Sequence, residues 1–142
     1  MLLDKSLELS SAQAVTSTAM STNVIDLGSA RNIGNTELYL FIKVGAAVTA
    51  AGAATVNFQL QTDDNSAMSS AATLFDSGAI GKASLTANTV LRYRLPVSAN
   101  YERYLGLNYT VSTGPLTAGD FSAWISDSVQ ENTTYASGFA VQ

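Results

Sequence analysis

The sequence contains no histidine and no cysteine. Without these residues neither a Ser-His-Asp nor a Cys-His catalytic arrangement can form, and zinc sites with imidazole or thiolate ligands are excluded. A disulfide framework is excluded as well, which favours synthesis in the cytosol. Because most common catalytic arrangements are ruled out, we expect no enzymatic activity, no cofactor and no metal.

Charge is also scarce, since only 13% of the residues are charged and the formal net charge is −4. Binding to the phosphate backbone of a nucleic acid requires clustered Lys and Arg. Because such residues are scarce in this sequence, we expect no direct nucleic-acid partner. Ser, Thr, Asn and Gln supply much of the surface instead. Such short neutral side chains lose little solvation and little conformational entropy when a partner covers them, which favours a component of a protein assembly.

Long apolar runs are missing too. No segment approaches the ~20 apolar residues of a membrane span. The first residues, MLLDKSLELSS, place Asp4 and Glu8 where a signal peptide needs a basic start and an unbroken apolar stretch. We therefore expect neither a membrane partner nor export, and we expect synthesis in the cytoplasm of the producing cell.

One acidic motif, TDDN at Thr62 to Asn65, invites a chemical interpretation. It is compatible with a calcium site or with half of a glycosidase carboxylate pair, because both chemistries need convergent carboxylates. No spaced set of further ligands follows it. At the end of a strand and before a Ser-rich loop, a turn capped by its own side chains is the favoured interpretation.

Alternation of apolar and polar residues is the main signal in the chain, and it predicts β-strands. Leu105, Leu107 and Tyr109 point one way and Gly106 and Asn108 the other. The same parity predicts strands over 37–44, 55–62, 88–96, 104–111 and 121–125, and three weaker ones near 72–78, 13–18 and 23–27. The last two main strands are expected to form a hairpin with a long Gly-Pro loop, and 37–44 with 55–62 another.

Seven or eight short strands separated by Gly, Ser, Asn and Pro turns predict an all-β fold, a jelly-roll-like β-sandwich with extended arms. An immunoglobulin-like wiring is the alternative, because strand order leaves no trace in alternation. We expect one domain over residues 1–142, with an N-terminal arm at 1–12, the sandwich at 13–127 and a C-terminal tail at 128–142. Each arm either packs on its own core or reaches a partner.

Several apolar or cationic side chains fall outside the predicted core and are candidates for a protein-protein interface. Trp124 lies on the face opposite Phe121 and Ile125, and an exposed Trp is a common interface anchor. The candidates are Leu2, Leu3, Tyr39, Phe41, Arg92, Arg94 and Trp124. Each has a local alternative, because a neighbouring arm or loop can cover an aromatic ring and Asp or Glu on the next strand can pair with an arginine.

Five segments carry a resemblance to a known family. They are MLLD at the N-terminus, AQAVT at 12–16, NVIDLG at 23–28, RYLGLNYTV at 103–111 and TAG at 117–119. Together they resemble the small capsid cement proteins of tailed bacteriophages, the family typified by the Bordetella podovirus cement protein. The similarity extends over most of the chain.

The resemblance implies a jelly-roll subunit on the outside of an HK97-type shell. Two such subunits form a pair at each two-fold and quasi-two-fold axis of the shell. The pair clamps neighbouring major capsid proteins together. The expected partners are then the major capsid protein and a second copy of this chain, and the location is the outer surface of the virion capsid.

A lectin-like or host-recognition sandwich on a virion surface is the alternative function, since one fold supports both roles. Sugar sites usually combine an exposed aromatic ring with Asp, Asn or Arg. In this sequence, Trp124 with Asp127 or Tyr39 with Glu37 would supply such a pair.

Overall fold

The computed structural model describes residues 4–31, 37–96 and 100–127. Nine strands occupy these ranges, together with two short 3-10 turns at Lys5–Leu7 and Lys82–Ser84, so the predicted all-β class is confirmed. The strands are β1 (Glu8–Ala14), β2 (Ala19–Met20), β3 (Ile25–Asp26), β4 (Tyr39–Val44), β5 (Thr55–Asp63), β6 (Ala72–Gly81), β7 (Val90–Arg94), β8 (Tyr104–Ser112) and β9 (Asp120–Ser126).

The strands form two antiparallel sheets. One has the order β1-β9-β4-β7, and the other has the order β2-β8-β5-β6 with β3 also paired to β8. If β2 and β3 count as one interrupted strand, each sheet has four strands, and their order is that of an eight-stranded jelly roll. The predicted jelly-roll-like sandwich is therefore the observed fold.

The core lies between the two sheets, and the alternating residues of each sheet fill it. Leu40 and Ile42 of β4, Phe58 and Leu60 of β5, and Leu107 of β8 are all completely buried there. One polar bridge crosses this interior, where the hydroxyl groups of Ser10 and Tyr109 are hydrogen-bonded. Burial raises the pKa of the Tyr109 phenol to about 12, so this side chain stays a neutral hydrogen-bonding group.

Both predicted hairpins are wrong. β4 lies in the four-stranded sheet and β5 in the five-stranded sheet, and β8 and β9 are separated in the same way. Each connection crosses from one sheet to the other. The alternation is the same for a hairpin and for a crossing because both sheets direct their apolar residues at one shared core.

The two crossing loops bind each other at one end of the sandwich. The amide of Thr49 donates to the carbonyl of Ala118 at 2.9 Å, and the amide of Thr117 donates to the carbonyl of Thr49 at 2.7 Å. The hydroxyl groups of Thr49 and Thr117 are 2.8 Å apart. The uncharged loop after β4 is thus held by backbone pairing to the loop before β9.

The start of the chain differs from the expected arm. Residues 8–12, assigned by sequence to the arm, form most of β1, which pairs with β9, and Leu9 is completely buried. The strand predicted over 13–18 is wrong, because β1 ends at Ala14 and β2 begins at Ala19. Irregular register between Glu8 and Gln13 breaks the alternation, and Leu9 and Ser10 are both buried. The tail predicted at 128–142 lies outside the described residues.

Candidate functional site on the four-stranded sheet

The side of the four-stranded sheet that faces away from the core carries five of the seven predicted interface residues. Leu40 and Ile42 point into the core, so their neighbours on β4 point outward. We call this surface the outer face, and its aromatic and cationic side chains include Tyr39, Phe41, Lys43, Arg92, Arg94 and Trp124. Leu2 and Leu3, the remaining two candidates, lie outside the described residues.

Phe41 and Trp124 form the centre of the outer face. They are register partners on β4 and β9, and their rings are stacked with centroids 5.7 Å apart and an interplanar angle of 3°. Only 1% of Phe41 and 6% of Trp124 is exposed. The expectation of an exposed Trp anchor is therefore wrong. Each ring covers part of the other. The 3-10 turn Lys5–Leu7 contacts β9, the strand that carries Trp124.

The indole nitrogen of Trp124 is an unusual feature of this stack. Nε1 is buried, and within the described part of the chain it has no hydrogen-bond acceptor. Buried donors are normally paired, because an unmade hydrogen bond leaves the cost of desolvation uncompensated. The outer face thus contains a donor that an acceptor would stabilise. Because the ring is covered, it does not offer the open aromatic surface on which a sugar would stack.

A carboxylate links the aromatic and cationic parts of the outer face. Arg94 Nη2 lies 2.7 Å from Glu37 Oε1, and the Tyr39 hydroxyl donates to Glu37 Oε2 at 2.8 Å. The hydrogen bond to this carboxylate raises the pKa of Tyr39. Both members of the Arg94–Glu37 pair are more than half exposed, so the pair contributes little to stability.

Charge is distributed unequally between the two outer surfaces of the sandwich. Three of the seven Lys and Arg residues of the chain, Lys43, Arg92 and Arg94, lie on the outer face of the four-stranded sheet. The opposite surface, on the five-stranded sheet, carries Asp76, whose pKa is lowered by hydrogen bonds from Gln59 and other donors. A protein with a net charge of −4 thus gathers three of its cations on one surface, where Glu37 pairs with Arg94.

β7, which carries both arginines, is the edge strand of its sheet. The amide of Leu95 donates to the carbonyl of Leu38 and the amide of Val44 donates to the carbonyl of Thr89, both at 2.8 Å. In an antiparallel ladder these bonds recur at alternate residues. The backbone N–H and C=O groups of Val90, Arg92 and Arg94 consequently point away from β4. In the described ranges, β4 is the sole strand paired with β7.

A cleft opens where β7 and β6 approach each other at the side of the sandwich. Its volume is about 460 Å³, and it is lined by Leu74, Phe75, Asp76, Arg94, Leu95 and Pro96. The rings of Phe75 and Tyr93 connect the two sheets nearby, with centroids 4.9 Å apart. Sequence analysis missed this cleft because it joins edge strands of different sheets. The one available signal was that a strand with two arginines and a terminal Pro is typical of a sheet edge.

The TDDN motif forms a turn, as the favoured interpretation predicted. The Asp63 carboxylate accepts from the amide of Asn65 at 3.1 Å and from the amide of Ser70 at 2.8 Å. These bonds lower the pKa of Asp63, and the bond from Ser70 has the largest effect. The loop they close places Met68 beside Gly106, at the surface of the five-stranded sheet.

Residues 4–31, 37–96 and 100–127 contain neither a candidate metal site nor a candidate membrane-spanning helix. No group of three or more acidic side chains there is arranged to hold a metal ion. In the same ranges, no helix has the length and apolar character needed to cross a membrane.

Comparison with known proteins relates the chain to a phage family. No curated protein matches the chain. A family model named Bbp16, for a family of Bordetella phage proteins, matches residues 9–125, a range that contains nearly all of the sandwich from β1 to β9. Because the match extends over most of the sequence, the chain belongs to the Bbp16 family of phage proteins.

Proposed function

We propose that this protein is a capsid cement or decoration protein of a tailed phage. It binds the outside of an HK97-type shell and clamps neighbouring major capsid proteins, which stabilises the expanded head. On this proposal it is a structural virion protein, it is no enzyme, and its partners are the major capsid protein and a second copy of itself.

The observation that carries the proposal is membership of the Bbp16 phage family, whose model matches residues 9–125 and so nearly all of the sandwich. The surface chemistry agrees with a binding role. The outer face carries Lys43, Arg92 and Arg94, and such cationic side chains suit a partner surface that supplies acidic groups. Burying a mostly neutral polar surface against another protein costs little free energy of desolvation and side-chain ordering.

The physical mechanism is mass action. A protein that binds only the expanded lattice stabilises that lattice by its binding free energy, about 2.7 kcal/mol per site when its concentration is about 100 times Kd. A dimer that contacts two capsomers gains further, because its second contact is intramolecular. Many weakly bound copies therefore suffice to hold capsomers together against the pressure of a packed genome.

Co-sedimentation with shells that lack this protein tests the proposal. The purified chain is titrated onto expanded shells and, in parallel, onto unexpanded shells. We expect saturable binding at a fixed ratio to the capsid subunit, on expanded shells alone. Binding to neither shell by a folded protein would contradict the cement function.

A glycan array separates the cement function from the alternative recognition function. The burial of Trp124 weighs against a sugar site at the centre of the outer face. We expect no selective glycan binding. Selective binding that is lost in Tyr39→Ala, together with no binding to shells, would favour the lectin-like function instead.

A further inference from the structure

We propose that the outward surface of the five-stranded sheet is the interface through which two copies of this chain form a two-fold dimer. The inference rests on the proposed function for the role of the dimer in the shell, since a second copy is one of the partners proposed there. The surface itself is assigned from three features of the sheet: its hydrogen-bonded amides, its lack of cations and its area.

Outward side chains of β5, β6 and β8 form this surface. Val56, Phe58 and Leu60 of β5 are buried in the core, so the residues between them point outward. Their register partners on β6 and β8 point the same way. We call this surface the amide face, and its side chains include Asn57, Gln59, Asp76, Ala79, Asn108 and Thr110.

The side chains of the amide face are hydrogen-bonded to one another. Gln59 Nε2 donates to Asp76 Oδ2 at 2.8 Å, and Gln59 Oε1 accepts from the hydroxyl group of Thr110 at 2.8 Å. Asn57 Nδ2 donates to Asp76 at 3.2 Å, and Asn108 Nδ2 donates to Thr110 at 3.0 Å. Because these bonds hold the side chains in place before a partner arrives, little side-chain entropy is lost on association.

The chemistry of the amide face suits an identical partner. Both copies contribute the same surface to a two-fold dimer, so a cluster of like charges would face itself. Neither Lys nor Arg occurs in β5, β6 or β8. An amide has both N–H donors and a carbonyl acceptor, so two amide faces can supply both halves of each new hydrogen bond. The Asp76 carboxylate already accepts bonds from Asn57, Gln59 and the backbone amide of Gly78.

The area of the amide face is sufficient for a dimer. Four strand positions, one of them shared by β2 and β3, and the nine residues of β5 give a surface of about 20 Å by 30 Å, or about 600 Å². Two copies would therefore bury about 1,200 Å² in total, which reaches the range of specific interfaces. None of the named side chains is longer than glutamine, so the two sheets can approach to about 10 Å, the usual spacing of packed sheets.

A dimer of this kind would present two surfaces to the shell. The two sheets of each copy lie on opposite sides of its core. When two five-stranded sheets face each other, the outer faces of the two four-stranded sheets point in opposite directions. Each outer face could then contact a different capsomer, and the second contact would be intramolecular.

Sedimentation equilibrium of the purified chain, without shells, tests the interface. We expect a mass that rises with concentration toward twice the 14.8 kDa of one chain. Ala79→Arg should raise the Kd of the dimer by about tenfold or more, because the symmetry places two additional cations in one interface. Ala79 is exposed, so the substitution should not disturb the core.

Ala87→Arg is the matched control for this substitution. It makes the same change in net charge at an exposed position in the turn between Lys82–Ser84 and β7, outside the amide face. We expect the control to associate like the wild type. Thermal unfolding of each variant verifies that it is folded.

Thiol labelling gives a second readout with little change to the surface. Because the chain has no cysteine, Thr110→Cys carries a single thiol. Its reaction with excess maleimide should be slower at concentrations where the chain is dimeric than where it is monomeric. The thiol of Ala87→Cys should react at the same rate at both concentrations.

The outcomes separate this interface from the cement function. A wild type that stays monomeric, or a dimer in which the Thr110→Cys thiol reacts as fast as in the monomer, would overturn the interface. Shell binding is measured separately by co-sedimentation, so the cement function could still stand. A dimer with the expected labelling that binds no shell would support the interface and contradict the cement function.

Discussion

Phe41 and Trp124 stack with nearly parallel rings on neighbouring strands, with ring centroids 5.7 Å apart, on the side of the sheet that faces away from the core. Both are almost completely buried there. The four-stranded sheet is therefore packed on both of its sides at its centre, where these two rings lie, whereas its outward residues on β7 are exposed. Its outer aromatic pair contributes to stability in addition to any role in binding.

Replacing Trp124 tests the contribution of this aromatic pair to stability. Trp124→Ala should lower the free energy of unfolding by about 3–5 kcal/mol, since it removes a large buried ring and its partner for stacking. Trp124→Phe keeps an aromatic ring and removes the buried indole donor, so it should cost about 1.5 kcal/mol or less. Urea denaturation measures both values. Equal losses in the two variants would show that the stack is unimportant.

Gly45, directly after β4, lies so close to the side chain of Asp120 that a Cβ atom would overlap with it. A Cβ atom placed on Gly45 would lie 1.9 Å from Asp120 Oδ1. Gly45→Ala should therefore destabilise the fold by about 1–3 kcal/mol through overpacking.

Gly81→Ala is the control for this substitution, because a Cβ atom placed on Gly81 would have no neighbouring atom within 4 Å and its φ is −67°. We expect this change to be neutral or slightly stabilising in thermal denaturation. A harmless Gly45→Ala would mean that the Asp120 side chain moves aside at little cost.

Asp26 and Arg103 form a two-pronged ion pair between β3 and the start of β8, with both N–O distances at 2.9 Å. The hydrogen bonds from Arg103 are the main reason why the pKa of Asp26 is lowered to about 2. A carboxyl group with a lower pKa in the folded state binds protons more readily when unfolded. Its contribution to stability is complete above the usual aspartate pKa and disappears as the pH falls toward 2.

The stability difference between the wild type and Asp26→Asn should therefore be largest at neutral pH and should shrink as the pH falls below about 4. Urea denaturation between pH 2 and pH 7 measures the trend. Added salt should reduce the difference at neutral pH, because the pair is exposed. A difference that is independent of pH would contradict the ion-pair account.

Asp63 closes the loop that places Met68 beside Gly106. Asp63→Ala removes the acceptor for the amides of Asn65 and Ser70, so the loop should open more often. Limited proteolysis should then cut within 64–70 about tenfold faster than in the wild type. Ser69→Ala is the matched control, because Ser69 is exposed and lies in the same loop. Similar cleavage of both variants would contradict the role of Asp63.

Prediction from the sequence was accurate where the direction of a side chain follows from its position along one regular strand. Alternation identified β4, β5, β7, β8 and β9 and the inward side of each, because one buried face imposes a period of two. It also placed Trp124 on the outward side of β9. It was wrong where a bulge changes the period, as in β1, where consecutive residues Leu9 and Ser10 are both buried.

Local pattern alone therefore determined the all-β class, the inward faces and the turn at Asp63, since each of these depends on residues close together in the chain. The tertiary structure decided which strands are neighbours. It separated β4 from β5 and β8 from β9, buried the Trp124 ring against Phe41, and made β7 an edge beside a cleft. These features depend on contacts between residues far apart in sequence, and two sheets that share one core impose the same alternation whichever strands are paired.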